Sequence, residues 1–279
     1  MGERKDWFLV YGTSYGFCAG RRKESDCRTL QEIDSVRLWR LQNRSWERLS
    51  YPEERIFQGN VREFCELETD SLAVFLIWNR RAERREVVCG IPDEQFCRGK
   101  VPMTKEEVRS ISISKLRLWK DAVIYDVGAG TGSVAVEMAL QAPDGVVYAV
   151  EKNEEAVALL GKNRVAFAVD HLKIVHGKAP EALENLPAPT HVFIGGSSGN
   201  LKEILDIVRK KNKAVRVVIN AITLETVTEA LTYLKEQEIS GAEVVSVQTA
   251  RAREVGRYHM MTGQNPVYVI SFGGERQER

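Results

Sequence analysis

The stretch Val123-Ile-Tyr-Asp-Val-Gly-Ala-Gly-Thr-Gly-Ser-Val-Ala-Val-Glu137 decides the fold. An apolar run carrying Asp126 reads as a strand, and a helical pattern opens near Ser133. Between them Gly128, Gly130 and Gly132 stand at alternate positions. Glycine lets a backbone approach a ligand with no Cβ in the way. The helix N-terminus behind such a loop offers free N–H groups and the positive end of a dipole. Dinucleotide folds hold a pyrophosphate on this device, with the spacing Gly-x-Gly-x-x-Gly or Ala. Here Ser133 fills that third position, and the third glycine comes one residue early. The spacing Gly-x-Gly-x-Gly after a strand ending in an acid is the form that holds a methyl donor, S-adenosylmethionine. Gly128, Ala129, Gly130, Thr131 and Gly132 are expected to pack against the donor's amino-acid tail and sugar. The donor has no phosphate, so an acid near the loop is tolerated, and Asp126 is expected to help hold its ammonium group.

Working outward, strand patterns fall at Ala122–Val127, Val146–Glu151, Leu172–His176, His191–Ile194, Val215–Asn220, Ala242–Val247 and Val267–Phe272. Helical patterns fall between most of them. Glu154–Phe167 places Ala156, Leu159, Leu160 and Val165 on one face, and Leu201–Lys210 does the same with Leu201, Ile204, Leu205 and Val208. Strands alternating with helices predict a mostly parallel α/β sheet covered on both faces. The last two of the seven strands have no helix between them, which predicts an antiparallel edge strand. That arrangement is typical of the class I S-adenosylmethionine-dependent methyltransferase fold, which is the fold expected.

Carboxyl ends of parallel strands carry ligand sites. Glu151 ends the second strand, 19 residues beyond Gly132, where an acid accepts both ribose hydroxyl protons. The plainer reading makes Glu151 a first-turn acid of the next helix. Gly177-Lys-Ala-Pro-Glu-Ala182 follows the third strand and puts the Ala179 backbone in reach of the adenine. An ordinary strand-to-helix turn with Pro180 at the first helical position explains it as well. Gly195 and Gly196, in Phe193-Ile-Gly-Gly-Ser-Ser-Gly199, favour a close-approach surface at the fourth strand's end.

Composition narrows the class of function. Lys+Arg 40 against Asp+Glu 39 gives no bulk positive charge for holding nucleic acid. Cys18, Cys27, Cys65, Cys89 and Cys97 are odd in number and form no Cys-x-x-Cys pair. Neither a disulfide framework nor a zinc site is expected, and no metal ligand is singled out. The longest apolar run, Leu72 to Trp78, is too short for a bilayer, which takes ~20 residues. With a charged start and no signal-peptide core, the cytoplasm is the expected location.

Residues 1–89 read differently from 90–279. The first fifty hold Gly12, Gly16 and Gly20, many arginines and no sustained periodicity. Arg62–Glu68 has a helical pattern, and Ser71–Trp78 reads as a strand.

Six segments together resemble a known family: Ile91-Pro-Asp-Glu-Gln-Phe96, Val101-Pro-Met-Thr-Lys-Glu-Glu-Val108, Ser114-Lys-Leu116, Asp126–Ser133, Phe193–Gly199 and Tyr258-His-Met-Met-Thr-Gly-Gln-Asn-Pro-Val267. The family is the cobalamin-pathway precorrin methyltransferase/decarboxylase, CbiT, and the likeness covers roughly residues 90–272. It implies methylation of carbon-15 of a corrin precursor with loss of carbon dioxide from the carbon-12 acetate. It implies that Thr104, Gly128 to Gly132, Glu151 and Ala179 touch the donor, with Glu151 standing where an Asp is often seen. It also implies a homo-tetramer. Tyr51-Pro-Glu-Glu-Arg-Ile56 and Ser71–Asn79 resemble the tail of the carbon-5 methyltransferase often fused ahead of this family. That enzyme is therefore an expected partner, and residues 1–89 are expected to be an incomplete remnant of a truncated or frameshifted fusion.

A corrin precursor is a polycarboxylate, and arginine suits carboxylates. Lys105, Arg109, Arg251, Arg253 and Arg257 are the candidate partners, and His259 a candidate for lining the acceptor pocket. Solvation, or pairing with Glu243 and Glu254, is the plainer reading for the arginines. His171, His176 and His191 read as structural. A sulfonium is already activated and the macrocycle supplies an electron sink, so no catalytic acid or base is named. Two other readings stay open: a methyltransferase of the same fold acting on RNA or another small molecule, and an inactive docking subunit. Donor binding separates the last from the others.

Overall fold

A computed structural model of the chain describes residues 7–8, 16–20, 42–60, 63, 73–78 and 89–274. The chain divides into two units, Met1–Glu86 and Val87–Arg279.

The first unit is a sheet of β1 (Trp7–Phe8), β2 (Gly16–Gly20), β3 (Gln42–Glu47), β4 (Arg55–Asn60) and β5 (Ala73–Trp78). Their order is β1-β2-β5-β3-β4, and every neighbouring pair is antiparallel. β3 and β4 form a hairpin whose turn sets Arg48 and Ser50 at φ of 48° and 71°. The Ser50 N–H donates to the Glu54 carboxylate at 2.8 Å, closing that turn. The strand expected at Ser71–Trp78 is β5. Of the helix expected over Arg62–Glu68, all but Glu63 lies outside the described residues.

The second unit runs α1 (Glu106–Leu116), β6 (Val123–Val127), α2 (Ser133–Gln141), β7 (Val146–Glu151), α3 (Glu154–Ala166), β8 (Leu172–His176) and β9 (His191–Ile194). It continues α4 (Leu201–Lys211), β10 (Arg216–Ala221), α5 (Leu224–Glu236), β11 (Glu243–Val247), β12 (Ala250–Val255), β13 (Tyr258–Gly263) and β14 (Val267–Phe272). Seven strands form one sheet in the order β11-β14-β10-β9-β6-β7-β8. The pairs β6·β7, β7·β8, β6·β9 and β9·β10 are parallel, while β14 runs antiparallel to both β10 and β11. This is the class I methyltransferase sheet.

The antiparallel strand is not at the edge, as expected, but one place in. Burial explains the exchange. Val269 to Phe272 are buried, which suits an interior strand, whereas β11 buries only Val247 and tolerates the edge. β12 and β13 pair only with each other, and no residue of either strand is buried. Without an apolar face they show no alternation, so no periodicity marks them as strands.

Successive strand residues feed opposite cores. Ile124, Ala149, Phe193 and Val218 pack with Ile113, Leu116, Met138 and Leu160 on one face. Tyr125, Val192, Ile194, Val217 and Ile219 pack with Leu201, Ile204, Leu205 and Tyr233 on the other. α4 buries the four residues its pattern predicts. α3 departs from its pattern: its buried row is Ala156, Leu160 and Asn163, and Val165 is exposed.

Candidate active site

β6 has β7 on one side and β9 on the other, so the chain reverses its direction of travel across the sheet here. Ligands of open α/β sheets bind at such a switch point, outside the strand carboxyl ends. The loops after β6 and β9 meet there back to back. Gly195 and Gly196 both donate to the Val127 carbonyl, at 3.0 and 3.3 Å. Gly128 takes φ +73°, and a Cβ on it would lie 2.6 Å from the Gly196 carbonyl oxygen. Gly130 takes φ +56°, and its Cβ would come 3.2 Å from the Pro102 carbonyl oxygen. Both positions therefore need glycine for conformation and for space.

The loop is tied down from two further directions. Gly128 and Ala129 donate to the Val150 carbonyl at 3.0 and 3.1 Å, which fixes the loop to β7. Glu151 at the end of β7 accepts from Gly130 N–H at 2.8 Å with one carboxylate oxygen, and from Asn153 N–H at 2.8 Å with the other. Asn163 replaces an apolar residue on α3's inner face because it clamps. Its amide donates to Thr131 O at 2.8 Å and Cys97 O at 2.9 Å, and accepts from Cys97 N–H at 2.8 Å.

A cavity of about 600 Å³ opens over this platform. Gly128, Ala129, Gly130, Glu151 and Ala179 line the cavity, with Thr104 and Lys105 of the segment leading into α1. Gly195, Gly196, Asn220, Ile222, Gln264 and Asn265 line it too. Nine of the expected site residues thus face one space. Glycine cradles with positive φ, a carboxylate at the second strand's end and a backbone turn at Ala179 fit S-adenosylmethionine.

Asp126, Thr131 and Gly132 do not reach the cavity wall. Asp126 is buried beneath the loop. Burial first, and the Glu151 charge second, push its carboxyl up to about 8. Burial thus works against the anion expected beside the donor's ammonium. Thr131 is buried, and Gly132 caps α2, where a Cβ would strike the Leu160 side chain at 2.8 Å.

The expected acceptor cations divide. Lys105 lines the cavity and sits 3.4 Å from Asp93. Arg109 is fully buried and so is corrected from ligand to internal cross-link. It pairs with Glu137 at 2.6 Å and Asp93 at 3.1 Å, donates to the carbonyls of Thr104 (2.7 Å) and Ile91, and lies 4.8 Å over the Phe96 ring. Glu137 accepts in turn from Gly90 and Ile91 N–H, at 3.1 and 3.0 Å. Arg251 is engaged by Glu107, not by Glu243 or Glu254, and Glu243 pairs with Lys115 at 2.6 Å. Arg253, Arg257 and His259 lie on the exposed β12–β13 hairpin, outside the cavity wall. His259 stands 3.7 Å from Glu254 there.

The cavity has cations that the sequence reading passed over: Lys100, Lys152 and Lys178. Each adjoins a motif at the site, with Lys152 after Glu151, Lys178 after Gly177 and Lys100 before Val101. Adjacency to those motifs was the available signal. Lys152 is steadied by Ser198 Oγ at 2.9 Å. Among the described residues no group of three His, Cys, Asp or Glu is placed to hold a metal ion, and no helix is long and apolar enough to cross a membrane.

Comparison with known proteins identifies the family. The chain is 44% identical over 185 residues to a probable cobalt-precorrin-6B C(15)-methyltransferase (decarboxylating) of Pyrobaculum calidifontis, covering 65% of this chain and 94% of the relative. A crystal structure of precorrin-6y C5,15-methyltransferase from Geobacter metallireducens matches with TM-score 0.63 and 39% identity, over 67% of this chain and 99% of that one. The precorrin 8w decarboxylase of Methanobacterium thermoautotrophicum matches with TM-score 0.61 and 35% identity, over 66% of this chain and 99% of that one. A family model described as precorrin methyltransferase domain covers residues 95–272. Because that match runs from the cavity's lead-in segment to the last strand of the sheet, the chain belongs to the precorrin methyltransferase domain family.

Proposed function

We propose that the chain transfers a methyl group from S-adenosylmethionine to carbon-15 of a cobalt-precorrin-6B-type tetrapyrrole and releases the carbon-12 acetate carboxyl as carbon dioxide, in cobalamin biosynthesis. The observation that carries this reading is that one cavity is lined both by the glycine cradle with Glu151 and by the amides Asn220, Gln264 and Asn265 and four lysines. We assign the cradle and Glu151 to the donor, and the amides to the acceptor. Family membership supplies the choice of acceptor.

The bound donor supplies an activated methyl on a sulfonium. The chain's residues bind and align. Gly128 and Gly130 let the loop backbone meet the donor's tail. The Glu151 carboxylate, already oriented by Gly130 and Asn153, accepts from the ribose hydroxyls. Ala179 lies beside the adenine. Lys100, Lys105, Lys152 and Lys178 hold acceptor carboxylates as point charges. Enclosing both partners aligns an in-line displacement and removes water, the main contribution such a reaction needs.

The test is to incubate the protein with S-adenosylmethionine and cobalt-precorrin-6B and weigh the product. Gain of one methyl and loss of one carbon dioxide is the expected result. An unchanged acceptor, with donor binding intact by calorimetry, overturns the assignment in favour of a different acceptor. A methylated product that keeps its carboxyl removes the decarboxylation alone. The family match begins at residue 95, so the first unit has no part in this reading.

A further inference from the structure

Arg251 was expected to meet substrate, and its geometry gives it another task. Its guanidinium forks onto Glu107, with Nε to one carboxylate oxygen at 3.1 Å and Nη2 to the other at 3.0 Å. Such a two-pronged pair fixes orientation as well as distance. The two residues lie 144 apart in sequence, and each adjoins a different segment of the cavity wall. Glu107 is in the first turn of α1, two residues after Lys105 of the cavity wall. Arg251 is on β12, in register with Thr262 of β13. The ladder continues through Ala250 opposite Gly263 to Gln264 N–H, which donates to Thr249 O at 2.9 Å. Gln264 and Asn265 then line the cavity.

Among the described residues, β12 and β13 pair only with each other. None of their residues is buried, and a two-stranded ribbon is marginal by itself. The arginine also reaches into the buried network under the cavity wall, at 3.7 Å from Asp93, the residue that Arg109 and Lys105 share. The pair is mutually reinforcing: hydrogen bonding to Arg251 holds the Glu107 carboxyl below its usual range, and Glu107 raises Arg251.

We propose that Arg251 is a positioning residue, a latch that joins the base of the β12–β13 hairpin to the start of α1 through Glu107 and so sets the acceptor-side wall at Gln264 and Asn265. Its carboxylate partner belongs to the protein and not to the substrate. The inference rests on the acceptor assignment only for its kinetic readout.

The experiment compares Arg251→Ala, Glu107→Ala, the double variant and Arg251→Lys in the full-length chain. Either single alanine should raise the KM for cobalt-precorrin-6B about three- to tenfold, with kcat less affected and S-adenosylmethionine affinity within about twofold of wild type. The double variant should be no worse than either single, because both remove one interaction. Lysine keeps the charge without the fork and should fall between. Hydrogen exchange over residues 250–267 should quicken in both single variants. Impairment by Arg251→Ala without any by Glu107→Ala overturns the latch and returns Arg251 to direct contact with the acceptor. Unchanged KM in both, or unchanged exchange in both, also overturns it. If the wild-type protein does not turn over cobalt-precorrin-6B, the functional assignment fails, and the exchange comparison decides the latch by itself.

Discussion

Glu151 serves the loop and the proposed ribose site with the same carboxylate. Gly130 and Asn153 each take one lone pair of a different oxygen, which leaves acceptor capacity on a residue that lines the cavity. Glu151→Ala should weaken S-adenosylmethionine binding by roughly 1.5–3 kcal/mol, the scale of lost hydrogen bonds to a charged group. Calorimetry checks this, and unchanged affinity would remove Glu151 from the donor site. The acid was legible because strand, loop and acid follow in order along the chain. Arg109 was not legible in the same way. Its partners Asp93 and Glu137 lie 16 residues before it and 28 after, and only the fold brings them together. A cation in a motif looks the same in sequence whether it faces solvent or core. Arg109→Met should cost about 3–5 kcal/mol in urea unfolding, since it takes the cation from buried Glu137 and the nearest of three from buried Asp93. A loss under about 1 kcal/mol would mean that water reaches the site and screens them.

At the scale of elements, periodicity found those that bury a face and missed those that do not. α4 shows four apolar residues on one side, and all four are buried. α3 misled at Val165 because its inner row contains Asn163, a clamp that reads as a surface residue. The order of the last strands depended on how much each buries, which pairing patterns alone do not reveal. The β12–β13 hairpin left no signal, since Tyr258, Met260 and Met261 are all more than half exposed. Those residues suit the self-association that the family resemblance implies. Met260→Lys with Met261→Lys should shift the protein to a smaller species in sedimentation velocity while leaving its circular dichroism unchanged. An unaltered sedimentation coefficient would place any assembly contact elsewhere.

Over the whole molecule, the cavity and its supports fall inside one unit. The cavity wall runs from Lys100 to Val267, and the supporting hydrogen bonds begin at Gly90 and Ile91, which donate to Glu137. All of these lie within Val87–Arg279. The match to the Pyrobaculum relative covers 65% of this chain but 94% of that protein, so that protein is about the length of this one unit. The change in character near residue 90 was legible because the alternating strand and helix patterns begin only after it. The pairing of β2 to β5 was less so, since arginine-rich and glycine-rich segments carry little alternation. A chain beginning at Val87 should therefore fold cooperatively and bind S-adenosylmethionine within about twofold of the full-length affinity. Glu137, Arg109 and Asp93 remain together in it, so the lead-in segment stays fixed over the glycine loop. Calorimetry on both chains decides the matter, with limited proteolysis as a check that cleavage before residue 90 leaves a stable core. A tenfold or greater loss of affinity in a folded Val87–Arg279 chain would show that the first unit contributes to the donor site, and the cavity could then no longer be treated as the work of the second unit alone.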